Sequence, residues 1–132
     1  MKLAIVGSQY LTPKQEVSVD FLVMLTLNFF ADRYPQNKLS NPSGLVFVSG
    51  GCEGVDTIAE SWADELGIPK DIKLPLKNTW DGEGGFKWRN KLIAEACDFL
   101  VCIRSNTSKT YGSGWTADEA ERLGKTVRRV YV

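Results

Sequence analysis

Hydrophobic and polar positions along the chain fall into short apolar runs separated by stretches of helical spacing. Residues 2–7 are a short apolar run closed by Gly7-Ser8, the pattern of a buried strand. Thr12-Pro13-x-Gln15 then reads as a helix start, with Thr12 as N-cap, Pro13 at the first position and Gln15 closing a capping box. The helix should run to about Arg33, and residues 34–44 carry the Pro, Asn and Gly of a loop. Residues 45–48 predict a second buried strand, stopped by Ser49-Gly50-Gly51. Val55, Ile58, Ala59, Trp62, Ala63 and Leu66 recur at helical spacing, and Gly67 and Pro69 end that helix. Residues 70–74 form a weaker strand, followed by a long loop over 75–86 that contains Trp80. A third helix is expected over 87–97, with Trp88, Leu92, Ile93 and Ala96 on its packed side. A strand over 98–103, a Ser/Thr/Gly loop over 104–114, a helix ending at Leu123-Gly124 and a strand over 126–132 complete the pattern.

This order predicts an α/β fold: one Rossmann-like three-layer domain over 1–132, with a five-stranded, mainly parallel sheet of order 3-2-1-4-5. Continuous apolar strands agree, because such strands are covered on both faces. Ligands of such sheets bind beyond the C-terminal strand ends, where the strand order reverses. Glycine and hydroxyl residues crowd at those ends, in Gly7-Ser8, Ser49-Gly50-Gly51 and the 104–114 loop.

The first helix is apolar over more of its circumference than one sheet face requires. Val17, Phe21, Leu25 and Phe29 form one row and Val19, Val23, Leu27 and Phe30 a second. The surplus row predicts a homodimer contact, or else a face covered by the 75–86 loop. The apolar stretch at 21–31 is too short to span a membrane, which takes about 20 residues.

Composition narrows the chemistry. Lys plus Arg is 16 and Asp plus Glu is 16, so no bulk charge draws the chain to nucleic acid or membrane. Histidine is absent, which removes Ser-His-Asp and Cys-His catalysis and histidine-based metal sites. The three cysteines form no C-x-x-C pair; Cys97 and Cys102 sit in apolar surroundings, and only Cys52, in a glycine turn, is a candidate reactive thiol. A reducing, cytoplasmic setting, no metal and no resident cofactor are the expectations.

Candidate chemistry concentrates in Ser49-Gly-Gly-Cys-Glu-Gly-Val-Asp56. Its glycines allow close backbone approach, and the helix that follows points free N–H groups at the same spot, a favourable place for phosphate. Asp56 either accepts a ribose hydroxyl or complements the helix dipole. Gly7-Ser8-Gln9 is a weaker signal, and the G-x-G-x-x-G of dinucleotide enzymes is missing after the first strand. Gly112-Ser113-Gly114-Trp115-Thr116 offers amides and hydroxyls; alternatively Thr116 and Glu119 are only a capping box, and Trp115 either stacks on a base or packs in the core. Arg89 and Asn90 open the third helix, where Arg89 can grip a phosphate or carboxylate bidentately or form a surface salt bridge. Trp80 is either a lid or a plug for its own loop. Gly124-Lys125-Thr126 looks like the end of a P-loop but runs from helix to strand, the reverse of that motif.

These pieces, taken in order, resemble a known family. Lys2-Leu-Ala-Ile-Val-Gly-Ser8, Val48-Ser-Gly-Gly-x-x-Gly-Val-Asp56, Trp88-Arg-Asn90 and Gly112-Ser113 followed by Thr116 are similar to the SLOG superfamily, the Rossmann-like relatives of the DNA-processing protein DprA and the cytokinin-activating LOG enzymes. The short stand-alone branch labelled DUF2493 or YAcAr is the nearest in appearance. The resemblance implies a nucleotide or nucleotide-derived ligand at the strand ends. Its implied pocket comprises Gly7, Ser8, Ser49, Gly50, Gly51, Gly54, Asp56, Arg89, Asn90, Ser113 and Thr116, to which the motifs themselves add Gln9, Val55, Trp80, Gly114 and Trp115 as ligand-binding candidates. LOG enzymes use a P-G-G-x-G-T-x-x-E motif for glycosidic cleavage; this chain has Tyr-Gly-Ser-Gly-Trp-Thr-Ala-Asp-Glu at 111–119, without the proline.

Two functions follow as expectations. One is a protein that senses or sequesters a nucleotide-derived signal, of a kind that suits phage or bacterial conflict. The other is a nucleotide N-glycosidase or phosphohydrolase, whose carboxylate would be Asp56 or Glu119, with Glu53 and Asp118 as further candidates. Nucleic acid is the weakest partner, since Arg122, Lys125, Arg128 and Arg129 read as a solvated face.

Overall fold

The computed structural model describes residues 1–36 and 44–132. Part of the loop expected over 34–44 therefore lies outside the described residues. The elements are β1 (Lys2–Gly7), α1 (Pro13–Arg33), β2 (Val46–Ser49), α2 (Val55–Glu65), β3 (Lys70–Ile72), α3 (Phe86–Ala96), β4 (Phe99–Arg104), α4 (Gly112–Arg122) and β5 (Thr126–Tyr131). The five strands pair in parallel in the order β3-β2-β1-β4-β5.

Side chains alternate across the central strand and divide the core in two. Leu3 and Ile5 join α1 and α2 through Val19, Val23, Leu27, Ala59 and Ala63. Ala4 and Val6 join α3 and α4 through Ile93, Ala94, Ala117 and Ala120. Burying each large aliphatic side chain contributes about 1.5–3 kcal/mol. Small residues dominate the second layer, which brings α3 and α4 close to the sheet.

The start of α1 has the expected chemistry. Thr12 Oγ1 accepts from Gln15 N at 3.2 Å, and Gln15 Oε1 accepts from Thr12 N at 3.0 Å. Val19, Val23, Leu27 and Phe30 enter the core, whereas Val17, Phe21, Leu25 and Phe29 are exposed. The 75–86 loop does not cover that second row, because it lies over the other face of the sheet, with Trp80 against Trp115.

Three other expectations are corrected. The inward face of α3 carries Arg89, Asn90, Ile93 and Ala94, while Trp88, Leu92 and Ala96 are only half-buried. Polar residues turn inward there because the first turns of α3 face a cleft, not the core. The edge strand β3 stops at Ile72, its last pairing with Ser49. Helix α4 begins at Gly112, so Thr116 is inside the helix and forms no capping box with Glu119. Thr116 Oγ1 instead donates to Gly112 O at 2.9 Å. The earlier start places Gly114 under the Tyr111 ring, where a Cβ would lie 2.5 Å from it. Among the described residues no helix is long and apolar enough to cross a membrane.

Candidate functional site

Strand order reverses at β1, between β2 and β4, and the loops leaving these strands are locked together. Ser8 N donates to Ile103 O at 3.1 Å, and Ser8 Oγ accepts from Ser105 N at 2.8 Å. Gly7 sits where a Cβ would be 2.2 Å from Ile103 O and 2.6 Å from Val55 Cγ2, so only glycine fits. Gly54 has φ +78°, and a Cβ there would be 2.3 Å from Ser8 O. That close approach lets Ser8 O accept from Val55 N at 3.2 Å. The glycine loop before α2 is thus packed against the end of β1.

Beyond these strand ends lies a pocket of about 550 Å³. Gly7, Gln9, Asp56, Trp80, Arg89, Asn90, Ser113, Trp115 and Thr116 line it, all of them singled out from the sequence. Ser8, Ser49, Gly50, Gly51, Gly54, Val55 and Gly114 do not line it but stand behind its wall or frame it. Ser49 is fully buried, and its hydroxyl accepts from Gly51 N at 3.3 Å. Val55 belongs to the core. Sequence reasoning missed Val6, Phe86, Ile93, Thr110 and Tyr111 as lining residues, whereas Cys52 and Gly112, which also line it, lie in motifs it singled out. Thr110, Tyr111 and Gly112 belong to a loop the sequence did flag, whereas nothing local marks Phe86.

Arg89 forms the floor and is only 4% exposed. Its Nη1 donates to Gly50 O, its Nε donates to Asn90 Oδ1 at 2.7 Å, and its Nη2 donates to Cys52 Sγ at 3.3 Å. The guanidinium also lies 5.8 Å from the centre of the Phe86 ring. Asn90 Nδ2 continues the chain to Gly112 O at 3.4 Å. One network therefore ties the end of β2 to α3 and to the start of α4. Among the described residues Arg89 has no ion-pair partner. A buried cation without a paired carboxylate is suited to an anionic ligand.

Asp56 lies beside it in the first turn of α2. Burial pushes its carboxyl up from 3.8 to about 7, outweighing the hydrogen bond from Cys52 N and the nearby Arg89 charge. It is the one member of the four candidate carboxylates that lines this pocket. Glu119 lines a separate groove with Lys87 and Lys91 on the far side of Trp115, and is ion-paired with Arg122. That hydrogen bond holds its carboxyl below the usual value. Asp118 accepts from Tyr111 Oη at 2.9 Å and pairs with Arg129, and Glu53 is exposed.

Aromatic side chains form the mouth. Trp80 and Trp115 meet edge to face with ring centres 5.9 Å apart. The backbone of Trp80 is tied to the start of α3, where its carbonyl accepts from Lys87 N at 3.1 Å. Tyr111, the residue before α4, adds a third ring under Arg104. No side chain caps the first turn of α4, and Gly112 and Ser113 of that turn line the pocket. The arrangement joins a buried guanidinium and a helix N-terminus to flat apolar walls. Among the described residues no group of three or more His, Cys, Asp or Glu could hold a metal ion.

A parallel 3-2-1-4-5 sheet with a pocket over its switch point defines the class as a Rossmann-like α/β domain. The comparisons with solved structures place its fold more closely. DNA processing protein A (DprA) from Streptococcus pneumoniae superposes with a TM-score of 0.66 and 22% identity, covering 97% of this chain and 49% of that one. The protein TM1055 gives 0.70 and 19%, with 96% and 71% covered. DprA from Helicobacter pylori, studied for its single-stranded DNA binding mode, gives 0.63 and 20%, with 98% and 64% covered. The chain thus shares the fold of these proteins and spans about half the length of the streptococcal DprA. No protein-family model and no curated protein matches it.

Proposed function

We propose that this domain binds a nucleotide or nucleotide-derived small molecule in the strand-end pocket and acts as a sensor or sequestering module, as a member of the SLOG superfamily close to its DUF2493 branch. The observation that carries the reading is Arg89, buried at the floor of an aromatic-walled pocket and in no ion pair among the described residues. Phosphate oxygens would take the guanidinium and the uncapped amides of α4, while a base would lie against Trp80 and Trp115. A volume of about 550 Å³ suits one such ligand. The same fold serves proteins that bind DNA, but the basic residues here are largely engaged. Arg122 pairs with Glu119, Arg129 pairs with Asp118 and Glu121, and Lys125 Nζ donates to Glu95 O at 3.1 Å.

A second reading, a nucleotide-cleaving enzyme, is favoured by one feature. Asp56 titrates near neutrality and faces the pocket, as a general acid should. One experiment separates the two. Thermal stability is measured against a panel of mono-, di- and cyclic nucleotides, with mass spectrometry of each ligand before and after. A ligand at about 100 times its dissociation constant adds roughly 2.7 kcal/mol. Stabilisation with the ligand recovered intact supports the binding protein, and released base or phosphate supports the enzyme. No stabilisation by any member of the panel would sink both.

A further inference from the structure

Helix α1 is apolar on two opposite sides. Successive residues of an α-helix turn by about 100°, so Phe21 and Leu25 point about 160° away from Val23, which is in the core. Val17, Phe21, Leu25 and Phe29 are between 48% and 72% exposed. Along the centre of this outward face run Lys14, Ser18, Phe21, Leu25, Asn28 and Asp32, at alternating spacings of four and three. That spacing is the seam of helices packed at a shallow angle of about 20°.

We propose that two copies of this chain pair through α1, antiparallel and related by a two-fold axis between Phe21 and Leu25. The register is dictated by the residues. Setting Phe21 against the partner's Leu25 also sets Val17 against the partner's Phe29, Ser18 against the partner's Asn28 and Lys14 against the partner's Asp32. The apolar centre is therefore self-complementary, and its two ends carry opposite charges that meet twice. No ion pair among the described residues uses Lys14 or Asp32. The two uncharged polar residues of the seam each donate one hydrogen bond within the helix. Asn28 Nδ2 donates to Met24 O at 2.8 Å, and Ser18 Oγ donates to Lys14 O at 3.5 Å. Burial then leaves the second N–H of Asn28 Nδ2, which the register sets against the partner's Ser18. Phe29 is steadied by Arg33, whose guanidinium is 4.3 Å from the ring centre.

The area is in the right range. The four apolar side chains offer roughly 400 Å² per copy, taking the size of a buried aromatic as a guide. Two copies with their polar rim then approach the roughly 1,200 Å² at which specific interfaces begin. A symmetric contact of this kind closes on itself and does not propagate.

The test is sedimentation equilibrium of the full chain between about 1 and 100 µM, with circular dichroism as the check on folding. The wild type is expected to be a dimer. Phe21→Lys changes an exposed side chain, should keep the helix content, and should give a monomer. Lys14→Asp and Asp32→Lys should each weaken dimerisation at least tenfold at low salt, and the double exchange should restore it. A wild type that stays monomeric at 100 µM overturns the proposal, as does a dimer indifferent to Phe21→Lys. Failure of the charge exchange to restore pairing overturns the register. None of these outcomes depends on the pocket or its ligand.

Discussion

Arg89 and Asp56 flank Gly50 without forming an ion pair: a Cβ at Gly50 would lie 3.0 Å from Arg89 Nη1 and 3.1 Å from Asp56 Oδ2. The bare glycine leaves room for both groups, and the guanidinium is held by Gly50 O, Asn90 and Cys52 while the carboxyl is left close to neutral. Two buried groups of opposite type thus face one pocket without cancelling each other. This arrangement leaves the guanidinium without a salt bridge among the described residues and favours the protonated form of the carboxyl.

Asp56 makes stability pH-dependent. Its pKa is raised in the folded chain, so its contribution is fully present below the unfolded value near 3.8 and is lost as pH rises through about 7. The loss amounts to at most roughly 4 kcal/mol. Glu60 is shifted the same way by its partial burial. Asp56→Asn should remove most of the decline between pH 4 and 8, and be more stable than the wild type at pH 8. Urea unfolding at pH 5 and pH 8 measures this. Equal slopes in both proteins would mean that Asp56 does not carry the titration.

Arg89→Lys keeps the charge but cannot span three acceptors with one ammonium. Losing a charge-assisted contact costs about 1.5–3 kcal/mol, so affinity for a phosphate-bearing ligand should fall by roughly 10- to 100-fold. Arg89→Met should weaken binding further and raise the Asp56 titration, since the Arg89 charge lowers it in the wild type. Calorimetry with the best ligand of the panel gives the first effect, and the pH profile of stability gives the second. Undiminished affinity in both variants would remove Arg89 from the site.

The strands and the inner row of α1, Val19, Val23, Leu27 and Phe30, were legible because each rests on a local pattern that the core enforces. Strand runs such as residues 2–7 have no alternative burial, and the Thr12 cap is settled within four residues. The site was legible only in part. Arg89 in sequence is a charged residue at a helix start, and its burial depends on Gly50, Asn90 and Cys52 arriving from elsewhere. Phe86 becomes a wall only through the fold of the 75–86 loop. The start of α4 was misplaced because glycine disfavours helix, yet Gly112 and Gly114 are helical beneath Tyr111. At Gly7 and Gly54 the structure shows a purpose the sequence did not separate from ligand approach, namely the contact of one loop with another.

Tryptophan fluorescence distinguishes the two sides of the sheet. A base bound in the pocket should quench Trp80 and Trp115, which line it. Trp62 lies on the opposite face, where its Nε1 donates to Asp20 Oδ1 at 2.8 Å. Trp80→Phe and Trp115→Phe should each remove a large part of the ligand-induced quench, and Trp62→Phe should leave it unchanged. A quench lost in the Trp62 variant alone would place the ligand on the α1–α2 side.

Gly54 and Gly67 compare two glycines of similar φ and different surroundings, with Gly54 further set apart by a ψ of −126°. Both have positive φ, at +78° and +68°. A Cβ at Gly67 meets nothing within 4 Å, whereas one at Gly54 would be 2.3 Å from Ser8 O and 2.5 Å from Gln9 O. Gly67→Ala should therefore cost only the left-handed conformation, about 1–2 kcal/mol. For a domain of this size that lowers Tm by roughly 4–8 °C. Gly54→Ala adds a clash with backbone that cannot move without breaking the Val55 N to Ser8 O bond. It should cost upwards of about 3 kcal/mol and weaken ligand binding as well, because β1 and α2 part at the pocket. Thermal melts of the two variants, paired with the ligand titration, check both statements. Equal losses at the two positions would show that backbone strain alone matters and that the loop-to-loop contact at Ser8 contributes little.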